Sequence, residues 1–163
     1  MADKKKLKLS DVNILQICCK LEETCAEMYH YFAQLYVESP DARELWTKTA
    51  QEEESHAEQF RLAYRLHGSG MKALKIDEVS AQKLLTNIQS IFELVKKFPP
   101  TLKDALRYAI RMENSMAEYH MNTIVEFEDE NLARLFTSMI KNDQEHIQML
   151  ERASAMCTQT NPE

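Results

Sequence analysis

The sequence predicts an all-α fold: an antiparallel bundle of four long helices, with a long crossover connection that carries an extra helix. Three observations predict it. Glycine is scarce, 2 in 163 residues against an average near ~7%, and Gly68 and Gly70 fall in one short segment. Pro40, Pro99, Pro100 and Pro162 stand at segment ends, so 1–39, 41–67, 71–98 and 101–161 contain neither strong helix breaker. Within those stretches apolar residues recur at alternating three- and four-residue spacing, the period of a helix with one buried face.

Ser10 is the N-cap of a helix over 10–37, whose apolar positions include Ile14, Leu15, Cys18, Leu21, Cys25, Met28, Tyr29, Phe32 and Tyr36. Ser39-Pro40 restarts the chain as an N-cap followed by proline at the first helical position, and this helix runs to Leu66 before His67-Gly68. So short a connection makes the two helices antiparallel neighbours. Residues 68–77 read as a loop. Ile76 to Lys97 carries a further periodicity (Val79, Leu84, Leu85, Ile88, Ile91, Phe92, Val95) and predicts a helix over 77–97, ended by Phe98-Pro99-Pro100. Thr101, with Asp104 three residues on, opens a helix that lasts to the cluster Glu128-Asp129-Glu130-Asn131, where a last helix starts and runs to about Met156. The chain is read as one domain over 10–157 with its crossover at 68–101, a flexible basic tail at 1–9 and a disordered tail at 158–163.

Charge and cysteine usage narrow the function classes. Twenty basic against 26 acidic residues give a net charge of −6, which opposes nucleic-acid phosphate and anionic membrane surfaces alike, so neither is expected as a partner. Cys18, Cys19, Cys25 and Cys157 form no Cys-x-x-Cys pair, which excludes zinc-ribbon, rubredoxin-type and thioredoxin-type chemistry on this chain. The start, MADKKKLKLS, is basic without an apolar run of signal-peptide length behind it, and no stretch approaches a membrane span. A reduced, cytoplasmic, soluble protein is expected.

The two hairpins repeat one another. KLEETCAEM aligns with RMENSMAEY, pairing Glu22 with Glu113 at an offset of 91 residues. In the second helices Leu45-Trp46 aligns with Leu135-Phe136, Glu53 with Asp143 and His56 with His146, at an offset of 90. Four seams follow. They read Leu15, Cys18, Glu22, Cys25, Tyr29, Phe32, Tyr36, then Ala42, Trp46, Thr49, Glu53, His56, Phe60, Ala63. The second hairpin supplies Leu102, Leu106, Ala109, Glu113, Met116, His120, Ile124, then Leu132, Phe136, Met139, Asp143, His146, Leu150, Ala153. Each seam carries a carboxylate near its middle, so four helices aim four acids at one level of the core.

Isolated buried carboxylates are too costly to leave unpartnered. Glu22, Glu53, Glu113 and Asp143 supply −4, which two divalent cations neutralise, while His56 and His146 add neutral imidazole nitrogens. In Glu53-x-x-His56 the three-residue spacing sets both side chains on one face, about 4.5 Å apart along the axis. Asp143-x-x-His146 repeats that arrangement.

At these six positions the sequence resembles the ferritin-like di-iron carboxylate proteins, and within them the rubrerythrin di-iron domain. The matching stretches are MYHYFAQLY, which follows Glu22, TAQEEESHAEQF around Glu53 and His56, and KNDQEHIQML around Asp143 and His146. The resemblance covers roughly 10–67 and 101–156. It implies a ferritin-like bundle, with Glu22, Glu53, His56, Glu113, Asp143 and His146 as ligands of two iron ions, manganese or zinc being possible substitutes. Glu53 and Glu113 are the candidates to bridge them. It also implies a di-iron peroxidase or oxidase of oxidative-stress defence, reducing hydrogen peroxide or O2. With no rubredoxin domain present, electrons would come from an external, rubredoxin-like donor protein. Asp143 stands where the family usually has Glu, which shortens its reach by about 1.5 Å. Met116 replaces the additional carboxylate that rubrerythrins carry one turn after Glu113.

Several residues invite a sharper reading than their chemistry requires. Glu27-x-x-His30 copies the ligand spacing but sits on the flank of the first helix. Tyr29 could hydrogen-bond a ligand carboxylate or relay an electron, or be a core tyrosine. Cys25 and His120 are expected to pack, with a redox or pocket part as the alternative. Apolar positions on the extra helix leave room for a homodimer. Two other functions fit the same scaffold: a ferroxidase that stores iron in a multi-subunit cage, and a non-catalytic helical module with a degenerate metal site.

Overall fold

The computed structural model describes residues 9–65, 77–123 and 130–159. The described chain forms five helices: α1 (Leu9–Leu35), α2 (Pro40–Arg65), α3 (Glu78–Lys97), α4 (Leu102–Thr123) and α5 (Glu130–Gln159). None is long and apolar enough to cross a membrane.

Local chemistry sets the helix ends close to where the sequence places them, with small corrections. α1 stops at Leu35, two residues before the expected Val37, because the backbone turns there: Ser39 N donates to Tyr36 O at 3.0 Å. Asp77 lies outside α3 as its N-cap, accepting from Ser80 N at 2.9 Å, so α3 opens at Glu78 rather than at 77. Thr101 caps α4 by accepting from Asp104 N at 3.2 Å and donating to the Asp104 carboxylate at 2.8 Å. α5 continues through Gln159, into the segment expected as a tail, since no helix breaker stands before Pro162. Likewise Leu9, assigned to the N-terminal tail, is helical. The loop expected at 68–77 lies outside the described residues apart from Asp77, as do 124–129, where the fourth predicted helix was to end.

Hydrogen-bonded pairs give the directions of the helices. Glu54 pairs with His30, and Arg61 with Glu23, so α1 and α2 run antiparallel. Asn13 donates to Glu78 near one end of α1, and Tyr31 to Val95 O nearer the other. α3 therefore runs parallel to α1, and it is the crossover itself. Its twenty residues span about 30 Å at ~1.5 Å each, which carries the chain from the end of α2 back along the bundle. Tyr36 then donates to Pro100 O at 2.7 Å, holding the start of α4 beside the end of α1. The extra helix thus supplies the length that the crossover needs.

The seams pack as the periodicity requires. All seven residues of the α2 seam, from Ala42 to Ala63, are buried. In α1 the seam is buried from Leu15 to Phe32, and Tyr36 is half-buried. Ile14, Leu21 and Met28 of α1 are buried as well, at the seven-residue spacing of a second stripe, in one core cluster with Ala81, Leu85, Ile88 and Val95 of α3. Val79, counted among the apolar positions of the extra helix, is instead 77% exposed, and Leu94 and Phe98 face outward too. At the α1–α2 end Phe32 packs on Trp46, with ring centroids 5.0 Å apart. Phe32→Ala is expected to cost about 3–5 kcal/mol. Denaturant unfolding followed by the fluorescence of Trp46, the single tryptophan, measures it, and a loss under about 1 kcal/mol would contradict the packing described.

Candidate metal centre

α1 carries Glu22, α2 carries Glu53 and His56, α4 carries Glu113, and α5 carries Asp143 and His146. All six are buried, none more than 3% exposed, so bulk water does not solvate their charges. The helices that bring them together are held at this level by small neighbours: Ala26, Thr49, Ala50 and Ala57 are all buried, which leaves room for carboxylates inside.

The donor atoms face a common interior. His56 Nδ1 stands 3.8 Å from Glu22 Oε2, 3.8 Å from Glu53 Oε2 and 3.8 Å from Asp143 Oδ1. His146 Nδ1 stands 3.3 Å from Glu53 Oε1 and 3.8 Å from Glu113 Oε2. Glu53 therefore turns one oxygen to each imidazole, and the two rings lie 5.8 Å apart. Two groups, Glu22-Glu53-His56 and Glu53-Glu113-His146, each gather their donor atoms within 4.8 Å of one another, and Glu53 belongs to both.

These separations fit ions better than direct pairing. A hydrogen bond from nitrogen to oxygen spans about 2.7–3.2 Å, shorter than every distance just given. Donors bound to one cation at about 2.1 Å stand about 3 Å apart at right angles and about 4.2 Å apart when opposite. Moreover, Glu53 Oε1 and His146 Nδ1, which face each other, are buried without a hydrogen bond. A cation between them removes a cost of about 1–3 kcal/mol for each such group.

Without an ion the cluster holds protons. Burial lowers the His56 imidazole, but Glu22 and Glu53 outweigh it and raise the group from 6.5 to about 11. Burial likewise lowers His146, and Glu113 and Glu53 bring it up to about 10. Glu113 is held above the usual carboxylate range by burial and by the charge of Glu53. Cations replace those protons when they bind.

Tyr29 crosses from the first hairpin to the second: its hydroxyl donates to Glu113 Oε1 at 2.5 Å. Its ring is fully buried and stacks on Trp46 at 5.7 Å. Burial and the charge of Glu113 keep its phenol well above the ordinary value, so it remains a donor. Of its expected roles, the geometry contains both the hydrogen bond to the Glu113 carboxylate and the packing of a core tyrosine.

Along residues 13–154 the chain matches the family model for rubrerythrin. The chain belongs to the rubrerythrin family. No curated relative and no solved structure matches it.

Two departures from the usual rubrerythrin pattern now have a place in space. Asp143 comes within 3.8 Å of His56 and belongs to neither of the two donor groups. Met116 is buried against the core one turn beyond Glu113, in the position of the missing carboxylate. Of the two candidates to bridge, Glu53 belongs to both donor groups and Glu113 to one.

The remaining motifs sort by burial. His30 of the Glu27-x-x-His30 pattern points outward and pairs with Glu54 at 2.8 Å. Cys25 is buried beside the centre, and burial, with the charges of Glu53 and Glu22, holds its thiol well above its ordinary value. It packs as a small apolar group. The side chain of His120 lies outside the described residues. Sequence reading missed Glu52, whose Oε2 contacts His146 Nε2 from the side away from the centre. In the repeat Glu52 aligns with Asn142, so the internal symmetry offered no signal for it.

Proposed function

We propose that this rubrerythrin-family protein reduces hydrogen peroxide, and more slowly O2, at two iron ions held in the bundle core. The observation that carries this reading is the sharing of Glu53 between two groups of buried donors. Glu22, His56 and Asp143 would hold one ion, Glu113 and His146 the other, with Glu53 spanning both. When bound, ferrous iron supplies the two electrons that cleave the O–O bond, and two protons complete the reduction of peroxide to two waters.

The protein's own groups position and insulate. Tyr29 fixes the rotamer of Glu113 through its hydroxyl. Met116, Met139 and Cys25 are buried on the same seams as the acids, and an apolar surround of this kind strengthens charge interactions inside it. The reducing equivalents would come from an external donor protein of rubredoxin type.

Anaerobic loading with Fe(II), followed by separate challenges with peroxide and O2 under an optical record, tests the proposal. Two iron ions per chain and faster oxidation by peroxide are expected. Absence of iron uptake ends the reading. Uptake with slow peroxide turnover, accompanied by a cage-sized assembly on gel filtration, replaces it with iron oxidation and storage.

A further inference from the structure

We infer that Glu52 is a positioning residue for the ion on the His146 side, an inference that rests on the metal reading above. Consecutive residues on a helix point about 100° apart, and α2 uses that divergence on a side chain of α5. Glu53 Oε1 approaches Nδ1 of His146 at 3.3 Å, and Glu52 Oε2 contacts Nε2 of the same ring. Two adjacent glutamates from the first hairpin thus grip one imidazole of the second from opposite edges.

The grip has a chemical consequence. A neutral imidazole that offers the Nδ1 lone pair to a cation carries its proton on Nε2, and a carboxylate placed there accepts that hydrogen bond. This fixes the tautomer, the ring orientation and the basicity of the ligating nitrogen. Burial separates this role from simple packing. The Glu52 side chain keeps 32% of its surface exposed, whereas His146 keeps 3%. The oxygen that meets His146 is nevertheless shielded from solvent, and neither it nor His146 Nε2 has another hydrogen-bond partner to hold it there. Because the equivalent residue of the second hairpin is Asn142, the repeat does not supply the same carboxylate behind His56, and the two ions are expected to depend on Glu52 unequally.

Cobalt(II) binding to the full chain tests this, using the visible absorption of the bound ion and competition with a chelator to give the affinity of each site. Wild type is expected to bind two ions. Glu52→Ala should weaken one of them about 10–100-fold, the usual effect of losing such a partner, and leave the other unchanged. Glu52→Gln keeps the shape and a weaker acceptor oxygen, so it should show the same selective loss at smaller size. It also serves if the alanine variant fails to fold. Loss shared equally by both ions would mean general loosening and overturns the inference, as do unchanged affinities in both variants. A wild-type chain that binds no cobalt overturns the metal reading and this inference together, whereas two tight ions with no selective loss overturn this inference alone.

Discussion

Glu53→Ala is expected to empty the centre of both metal ions, whereas Glu22→Ala and Glu113→Ala each release one. The asymmetry follows from geometry. Glu53 Oε2 faces the imidazole of His56 and Oε1 that of His146, while Glu22 and Glu113 belong to one donor group each. Removing Glu53 also leaves three carboxylates opposite two divalent cations, an excess of positive charge in a site that excludes water. The loss per ion should exceed the roughly 100-fold that follows removal of a mere outer partner. Metal per chain, measured by elemental analysis after equilibration with Fe(II) and gel filtration, reads the result directly. A Glu53→Ala protein that retains one ion at wild-type affinity would remove the shared carboxylate from the account.

Raising the pH should destabilise the metal-free protein and tighten its metal complex. His56 rises to about 11 and His146 to about 10, both from 6.5 in the unfolded chain. A group whose folded value lies above its unfolded one leaves the folded state holding more protons. Its stabilisation is fully present below about pH 6.5 and is lost as pH climbs toward the folded values. Glu113, raised by burial and by Glu53, acts with the same sign. Each imidazole can contribute up to about 1.4 kcal/mol per pH unit across that window. Metal ions take the unprotonated nitrogens, so uptake releases protons and affinity climbs with pH. Urea unfolding of chelator-treated protein at pH 6.5, 7.5 and 8.5 should show falling midpoints, and zinc-loaded protein should not follow that fall. A metal-free midpoint that is flat or rises over the same range contradicts the buried ion pairs.

The six acids and imidazoles were readable in the sequence because they sit on seams whose spacing is set by the helix alone. Glu22 lies between Cys18 and Cys25, and Glu53 between Thr49 and His56, all of them buried. Val79 shows the limit of such reading. It continues the apolar rhythm of α3 yet is exposed, because α3 packs chiefly on α1 and buries only the stripe from Ala81 to Val95. Glu52 shows the opposite limit. It stands off the seam in a run of three glutamates, and only the approach of α5 sets it apart from its exposed neighbour Glu54.

What the sequence by itself determined is the set of helices, the face each buries and the identity of the six acids and imidazoles on those faces, since a repeat of 3.6 residues places them on one stripe whatever the partner. Tertiary structure alone decided which groups meet: Glu53 between both imidazoles, Asp143 near His56, Tyr29 on Glu113 and Glu52 behind His146. Those pairings depend on how far one hairpin slides and rotates against the other. One helical turn of slip moves a side chain about 5.4 Å, close to the 5.8 Å separation of the two histidine rings, and no periodicity within a single helix encodes it.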